Sequence, residues 1–375
     1  MKNNIKNIAV SVAFIVTIFG FMLSNIIMPD KEFSFGERRR LTARPDFSVD
    51  KLLKGDLVDE YEKYISDQFV LRDAFRSLKA LGKYYVFAQK DNNDMYIVNG
   101  IVEKMEYRLN EKSVLNAADK LNKIYEKYLT GKNVSFAIIP NKGYYIADKN
   151  GYLDIDYDRI AELMKQNIKN MKYVDLSDVL TAEDYYRLDI HWRQEKIIKI
   201  ADLFLKELGN DTKASDSVYT EKKLYPFYGS YYGHVALRLK PEDMIYLTNS
   251  TIEDAVVFDY QKNSFGKVYE DDLFNGTDSY DVFLSGAKSL ITIYNENCEN
   301  DKELLLFRDS FGSSIAPLML EGYSKITLID LRYISADLLD KYIDFSKDQD
   351  VLFLYNTQIL NNSSMLKSSG TTIIN

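Results

Sequence analysis

A serine stands in Leu304-Leu305-Leu306-Phe307-Arg308-Asp309-Ser310-Phe311-Gly312-Ser313, between an apolar run and a segment that continues into Ile315, Ala316, Leu318 and Met319. The apolar run reads as a short buried strand and the residues after the Gly/Ser segment as the start of a helix, so Ser310 sits at a strand-to-helix corner. A side chain at the carboxyl end of a parallel strand points into the crevice where open α/β sheets bind ligands. A hydroxyl placed there is a candidate nucleophile, but serine attacks poorly at neutral pH without a base to take its proton. The chain has two histidines, His191 and His234. His191 lies in Tyr185-Tyr186-Arg187-Leu188-Asp189-Ile190-His191-Trp192-Arg193, and Asp189, two residues away on an extended or irregular segment, can orient the imidazole through one ring nitrogen. On a regular helix the two side chains would diverge. His234 has no carboxylate beside it, and Tyr232, Val235 and Leu237 read as a half-buried strand, so His191 is the preferred base. Two histidines and the single Cys298 are too few nitrogen and sulfur ligands for zinc, so no metal or other cofactor is expected. Cys298 excludes an intramolecular disulfide and reads as packing, with no histidine near it in sequence to make it a catalytic thiol.

These segments carry a family resemblance. Asp-x-His-Trp after Tyr185-Tyr186-Arg187, then Asp309-Ser310-Phe311-Gly312 at a strand end, then Tyr323-Ser324-Lys325-Ile326 and Asp330-Leu331-Arg332-Tyr333, resemble the bacterial DHHW proteins. Those are similar to the SGNH-hydrolase-like proteins of alginate O-acetylation. The resemblance covers nearly the whole extracytoplasmic chain. It implies a flavodoxin-like α/β/α sheet of parallel strands bearing a Ser310, His191, Asp189 site, and transfer of acetyl groups to an extracellular polysaccharide. With no acetyl-CoA outside the membrane, topology and family together imply a multispanning membrane O-acyltransferase as the partner that delivers the acetyl group. The family carries a Gly-Gly-Asn run that supplies part of an oxyanion hole, where this chain has Ser285, Gly286 and Ala287. The backbone amide of Gly286 survives that change, beside the amide of Ser310. The asparagine side chain does not, and loss of one oxyanion donor can cost on the order of 10²–10³ in rate. Two other readings stand beside acetyl transfer: an esterase that passes the acyl group to water, and a catalytically impaired module that binds polysaccharide or scaffolds an assembly.

The rest of the chain must bring Ser310 and His191 together. At 375 residues, 46% hydrophobic and 28% charged, it has ample length for one large core and no sign of disorder. A net charge of -8 argues against nucleic acid, which calls for a basic face. After Lys2 and Lys6, the run from Ile8 to Met28 is almost wholly apolar and about as long as a membrane span requires. No small-x-small cleavage site follows it. We therefore expect an uncleaved anchor over residues 1–28 rather than a signal peptide, with the remainder outside the membrane. Residues 29–48 read as a polar tether, in which Arg38, Arg39 and Arg40 form either a solvated charge run or a contact for lipid headgroups.

An SGNH-hydrolase-like domain is expected over residues 49–375, beginning with core helices from Val49 to Phe87 and a hairpin around Asn99-Gly100. Helix at Ser113 to Tyr128, strand at Val134 to Ile139, helix at Tyr157 to Met171, strand at Tyr173 to Leu176 and helix near Val179 give the βα alternation of a parallel sheet. Strands at Leu290 to Tyr294, Ile326 to Asp330 and Val351 to Asn356 extend it. Residues 212–286 change character: Tyr225, Phe227, Tyr228, Tyr231 and Tyr232 cluster around Gly229 and Gly233, and short β-like runs follow. This reads as a strand-rich insertion, either a grip for a glycan or a plain cover for the sheet. Three further residues have more than one reading. Asn141, after the strand at Val134 to Ile139, faces substrate or makes an ordinary turn. Arg332 holds a sugar hydroxyl, an acetyl carbonyl or a neighbouring carboxylate. Trp192 packs beneath His191 or faces the sugar.

Overall fold

Strand Glu303–Arg308 alternates its side chains between two cores: Leu304 and Leu306 pack with one buried cluster, Leu305 and Phe307 with another. Alternation of that kind, with both faces apolar, makes a strand the middle layer of three. The computed structural model describes residues 2–34, 36, 37 and 39–368. The chain divides into two compact units, Met1–Asn93 with Tyr232–Leu239, and Asp94–Tyr231 with Lys240–Asn375.

In the first unit, α1 (Lys2–Ile27) is the long apolar helix, and a two-residue ladder, β1 (Phe33–Ser34) with β2 (Arg39–Arg40), precedes α2 (Val49–Lys54), α3 (Asp56–Gln68) and α4 (Arg72–Leu81). The last runs on into a looser turn over Gly82–Val86. Residues 49–93, expected within the hydrolase-like domain, fall in this unit. So does His234, whose segment Tyr232–Val235 is a helical turn rather than the expected strand. Gly233 there comes so close to the Gly36 carbonyl that a Cβ would overlap it.

The second unit opens with the hairpin β3 (Met95–Val98) and β4 (Ile101–Lys104), turned at Asn99-Gly100 with positive φ at both residues, as its sequence demands. After α5 (Glu111–Ile124), β5 (Val134–Ile139) enters the main sheet and leads through α6 (Lys142–Ile146) and α7 (Tyr157–Asn167) to β6 (Lys172–Val174). The helix expected near Val179 is a turn only. The Asp-x-His loop and α8 (Ile198–Glu207) come next, followed by β7 (Thr220–Phe227), β8 (Glu242–Thr248), β9 (Val256–Asp259), β10 (Ser264–Gly266), β11 (Leu290–Tyr294), β12 (Glu303–Arg308), β13 (Lys325–Ile329) and β14 (Gln349–Asn356).

The eight-stranded sheet has the order β10-β9-β11-β13-β12-β14-β5-β6. Strands β13, β12, β14, β5 and β6 are mutually parallel, and β11, β9 and β10 add antiparallel at one edge. α5 and α7 supply one core and α8 the other, so the expected α/β/α architecture with a parallel-rich sheet is present. Numbered in chain order the parallel strands run 2-1-5-3-4, which departs from the flavodoxin order 2-1-3-4-5 by seating the last strand between the first and third. The stretch 212–286 is strand-rich and used in two ways: β7 and β8 form a separate ribbon, while β9 and β10 cap the open edge beside β11.

Candidate active site

β5, β12 and β14 end at the same side of the sheet, and the loops that follow them carry Asn141, Ser310 and Thr357. Neighbouring strands leave β5 in opposite directions, β6 to one side and β14 to the other, which makes a crevice at their carboxyl ends. Ser310 is half-buried there, two residues past the end of β12. Among the described residues its backbone N–H has no hydrogen-bond partner, whereas Phe311 N–H donates to Asp309 Oδ1 at 3.0 Å. Only one turn of α-helix follows, Gly312–Ile315, before the chain tightens to a 3₁₀ turn. The helix expected after Ser310 is therefore a single turn.

His191 Nε2 lies 2.7 Å from Ser310 Oγ, and His191 Nδ1 lies 2.6 Å from Asp189 Oδ1. Asp189 is wholly buried, and its carboxylate also accepts the His191 N–H at 2.9 Å and, on Oδ2, the Ser230 N–H at 2.6 Å. Each of these partners is a donor, which fits an ionised carboxylate and places the ring proton on Nδ1. Nε2 then has its lone pair turned to the serine hydroxyl. The loop is irregular enough to fold Asp189 under His191, as the two-residue spacing requires, because a single antiparallel bridge joins Tyr185 to Trp192 across it.

Charged side chains from elsewhere clamp that loop. Lys142 Nζ, fully buried, donates to the carbonyls of Asp189 and Val102, each at 2.7 Å, and of Tyr186 at 3.0 Å. Glu242 accepts the N–H groups of Arg187 at 3.1 Å and Leu188 at 2.9 Å. Burial pushes the Lys142 ammonium below its ordinary value against the pull of Glu103, 3.7 Å away, and raises the Glu103 carboxyl against the pull of Lys142. The imidazole itself is stacked on Tyr280, with ring centroids 3.7 Å apart and planes 7° off parallel. Ser314 Oγ accepts from both the Tyr280 hydroxyl and Trp192 Nε1 at 2.8 Å, tying the residue one helical turn after Ser310 to the two rings.

One expectation changes, and the three residues with open readings are placed. Trp192 is wholly buried, edge-on to Phe311, so it supports the site from beneath and does not face a sugar. The Gly286 N–H donates to the Phe283 carbonyl at 3.1 Å and is not available to an oxyanion. Three consecutive left-handed residues, Leu284, Ser285 and Gly286 with φ of 54°, 56° and 81°, wind the chain back on itself there. Arg332 gives Nε and Nη2 to Asp330, at 2.9 and 2.6 Å, which is the neighbouring-carboxylate reading rather than a contact for substrate. Asn141 is buried: its Oδ1 accepts from Thr357 Oγ1, and its Nδ2 has no hydrogen-bond partner among the described residues. Thr357 follows Asn356, whose N–H donates to Asp309 Oδ2 at 2.7 Å, so Asn141 is two hydrogen-bonded steps from the residue preceding the serine.

Lys142, Glu242, Tyr280 and Ser314 were not singled out from sequence. Each acts from 34 to 122 residues away or stacks face to face, and no local pattern announces such contacts.

Gly229 gives a sharp test of how tightly Asp189 is placed. A Cβ at this position would lie 2.2 Å from the Leu188 carbonyl oxygen and 2.5 Å from Asp189 Cβ. Gly229→Ala must displace the loop, and turnover of an activated ester is expected to fall about 10²-fold, the cost of roughly an ångström of misplacement. Gly266→Ala, whose methyl meets nothing nearer than 3.5 Å, should leave the same assay unchanged.

Direct comparison bears out the resemblance seen in the sequence. A family model described as DHHW protein matches residues 149–329, a span that includes Asp189, His191 and Ser310. The crystal structure of a DHHW family protein from Eubacterium siraeum superposes with a TM-score of 0.61 at 21% identity, covering 75% of this chain and 98% of that one. Bacillus cereus PatB1 gives 0.56 at 16% identity, covering 71% of this chain and 96% of its own. PatB1 with a sulfonyl adduct gives 0.57 at 16% identity, covering 73% and 100%. These likenesses show the fold. No curated protein matches the sequence significantly.

Proposed function

We propose that this DHHW-like chain is an extracytoplasmic O-acetyltransferase that carries an acetyl group on Ser310 and delivers it to a hydroxyl of a cell-surface or secreted polysaccharide. One observation carries the reading: the continuous relay from Asp189 through His191 to Ser310, with contacts of 2.6 and 2.7 Å. His191 Nε2 takes the Ser310 proton as Oγ forms a bond to the acetyl carbon, and returns it to the leaving group as the donor's C–O or C–S bond breaks. The acceptor hydroxyl then repeats the sequence in reverse, losing its proton to Nε2 as the new ester forms and the Ser310 ester breaks. Developing charge on the carbonyl oxygen is met by the free Ser310 N–H. Asn141 Nδ2 is the further donor we assign, because a buried amide nitrogen without a partner is rare and calls for an occupant. This role takes the place of the Gly286 amide. The acetyl donor is a multispanning membrane acyltransferase, since the site stands beyond the reach of acetyl-CoA when α1 anchors the chain in a cell membrane.

The full-length protein in detergent, given an aryl acetate, is expected to gain one acetyl group on the peptide holding Ser310, detected by mass spectrometry after acid quench. Added oligosaccharides should then discharge it faster than water does. Acetate release with no acetylated sugar from any polymer type would favour an esterase. An unmodified Ser310 and no ester turnover would leave only a glycan-binding or scaffolding module.

A further inference from the structure

α4 is amphipathic with its faces reversed relative to a helix of a soluble domain. Arg72 and Arg76 turn inward and pair with Glu37 at 2.7 and 3.1 Å, and Ala80 is buried. The outward face of α4 carries Phe75, Leu78 and Leu81 at intervals of three residues, with Leu71 just before the helix and Tyr85 in the looser turn after it. These side chains are largely open, Leu78 by 64% and Tyr85 by 74%, and Val86 and Phe87 continue the exposed surface. A contiguous apolar stripe of this length marks a surface meant to be covered.

α1 indicates what covers it. Phe21 stacks on Phe69 with centroids 5.6 Å apart and meets Phe75 edge-on at 5.8 Å, and Asn25 Oδ1 accepts the Val70 N–H at 2.7 Å. The stripe thus begins against the outer part of the apolar helix. Phe21 is six residues short of Ile27, which at about 1.5 Å per residue puts it about 9 Å below the helix end. An in-plane amphipathic helix sinks its apolar face about 5–10 Å into the boundary between headgroups and acyl chains. The two depths agree. Tyr85 is also of a residue type that settles at that level.

We propose that the segment Leu71–Phe87 lies in the plane of the outer membrane face beside α1, with Leu71, Phe75, Leu78, Leu81 and Tyr85 among the lipids. This rests on α1 spanning the membrane. It makes the first unit a seat on the bilayer rather than a loose tether.

The test uses the full-length chain with Cys298→Ser, reconstituted in phosphatidylcholine and phosphatidylglycerol vesicles, with bimane on one introduced cysteine at a time. Phe14→Cys reports on the anchor, Leu78→Cys and Tyr85→Cys on the stripe, and Asp73→Cys, 73% exposed, on the polar side. Nitroxide-labelled lipids are expected to abolish most of the signal at positions 14, 78 and 85 and little at 73, and aqueous iodide the reverse. Quenching by lipid at 14 but by iodide at 78 and 85 would overturn the proposal while leaving the anchor. Protection of 78 and 85 from both quenchers would also overturn it, showing a protein partner on the stripe. No lipid quenching at 14 would remove the anchor reading and this inference with it.

Discussion

Ser310→Ala and His191→Ala should each lower turnover of an activated acetate ester by about 10⁴–10⁶, and the double variant should lose no more than the worse single one. The reason is geometric. With Nε2 at 2.7 Å from Oγ and Nδ1 held at 2.6 Å by Asp189, nucleophile and base are one device, and removal of either part disables the other. Asp189→Asn should cost about 10⁴, because an amide in place of the carboxylate reverses the preferred ring proton and turns a donor toward the serine. Stepwise kinetics of the two half-reactions check the assignment: all three variants should block acylation, whereas loss of a residue that merely grips the acceptor would slow only deacylation by sugar. Additive losses in the double variant would show that His191 is not the base for Ser310. Cys298→Ser provides the control, since the single thiol of the chain lies on the stretch between β11 and β12, outside the residues that contact Ser310, His191 or Asp189.

Much of this arrangement was legible in the sequence because its signals are local. Leu304 to Phe307 had to be a strand with two apolar faces, and Ser310 had to follow it at the open edge. Asp189 and His191 are separated by one residue in a segment whose polarity rules out a core strand, so their meeting needs only a bend. What the chain did not disclose depends on distant contacts. Lys142 sits in Pro140-Asn141-Lys142-Gly143, which reads as an ordinary turn, and its burial is visible only once four carbonyl-bearing residues of two other segments surround it. Gly286 illustrates the opposite failure. A glycine beside the expected site was read as offering its amide, but backbone conformation decides where an amide points, and three left-handed residues in a row turn this one back to Phe283. Strand order was out of reach for the same reason: seating β14 between β12 and β5 leaves every local pattern unchanged.

Lys142→Met should be the most destabilising single change near the site, by about 3–5 kcal/mol, although methionine matches the length of the side chain it replaces. The ammonium is the donor for carbonyls of Val102, Tyr186 and Asp189, and the counter-charge to Glu103, whose Oε2 is buried with no hydrogen-bond partner of its own. Without Lys142 those carbonyls lose a donor and one carboxylate stays buried uncompensated. Glu103→Gln in the same chain should recover part of the loss, giving a coupling energy that a double-mutant cycle by urea unfolding would read. The pH dependence has a definite sign. Glu103 has its folded value raised by burial, so it favours the fold when protonated and weakens it as pH rises through the carboxylate range. Lys142 opposes that rise, and its removal therefore lets Glu103 shift further upward. The penalty of Lys142→Met should be smaller near about pH 5 than near about pH 8, and in a Glu103→Gln background it should lose the part of that pH dependence that Glu103 supplies. A penalty below about 1 kcal/mol, or one that does not change with pH, would mean that Lys142 does not clamp the Asp189 loop and that backbone bonds alone hold the carboxylate beneath His191.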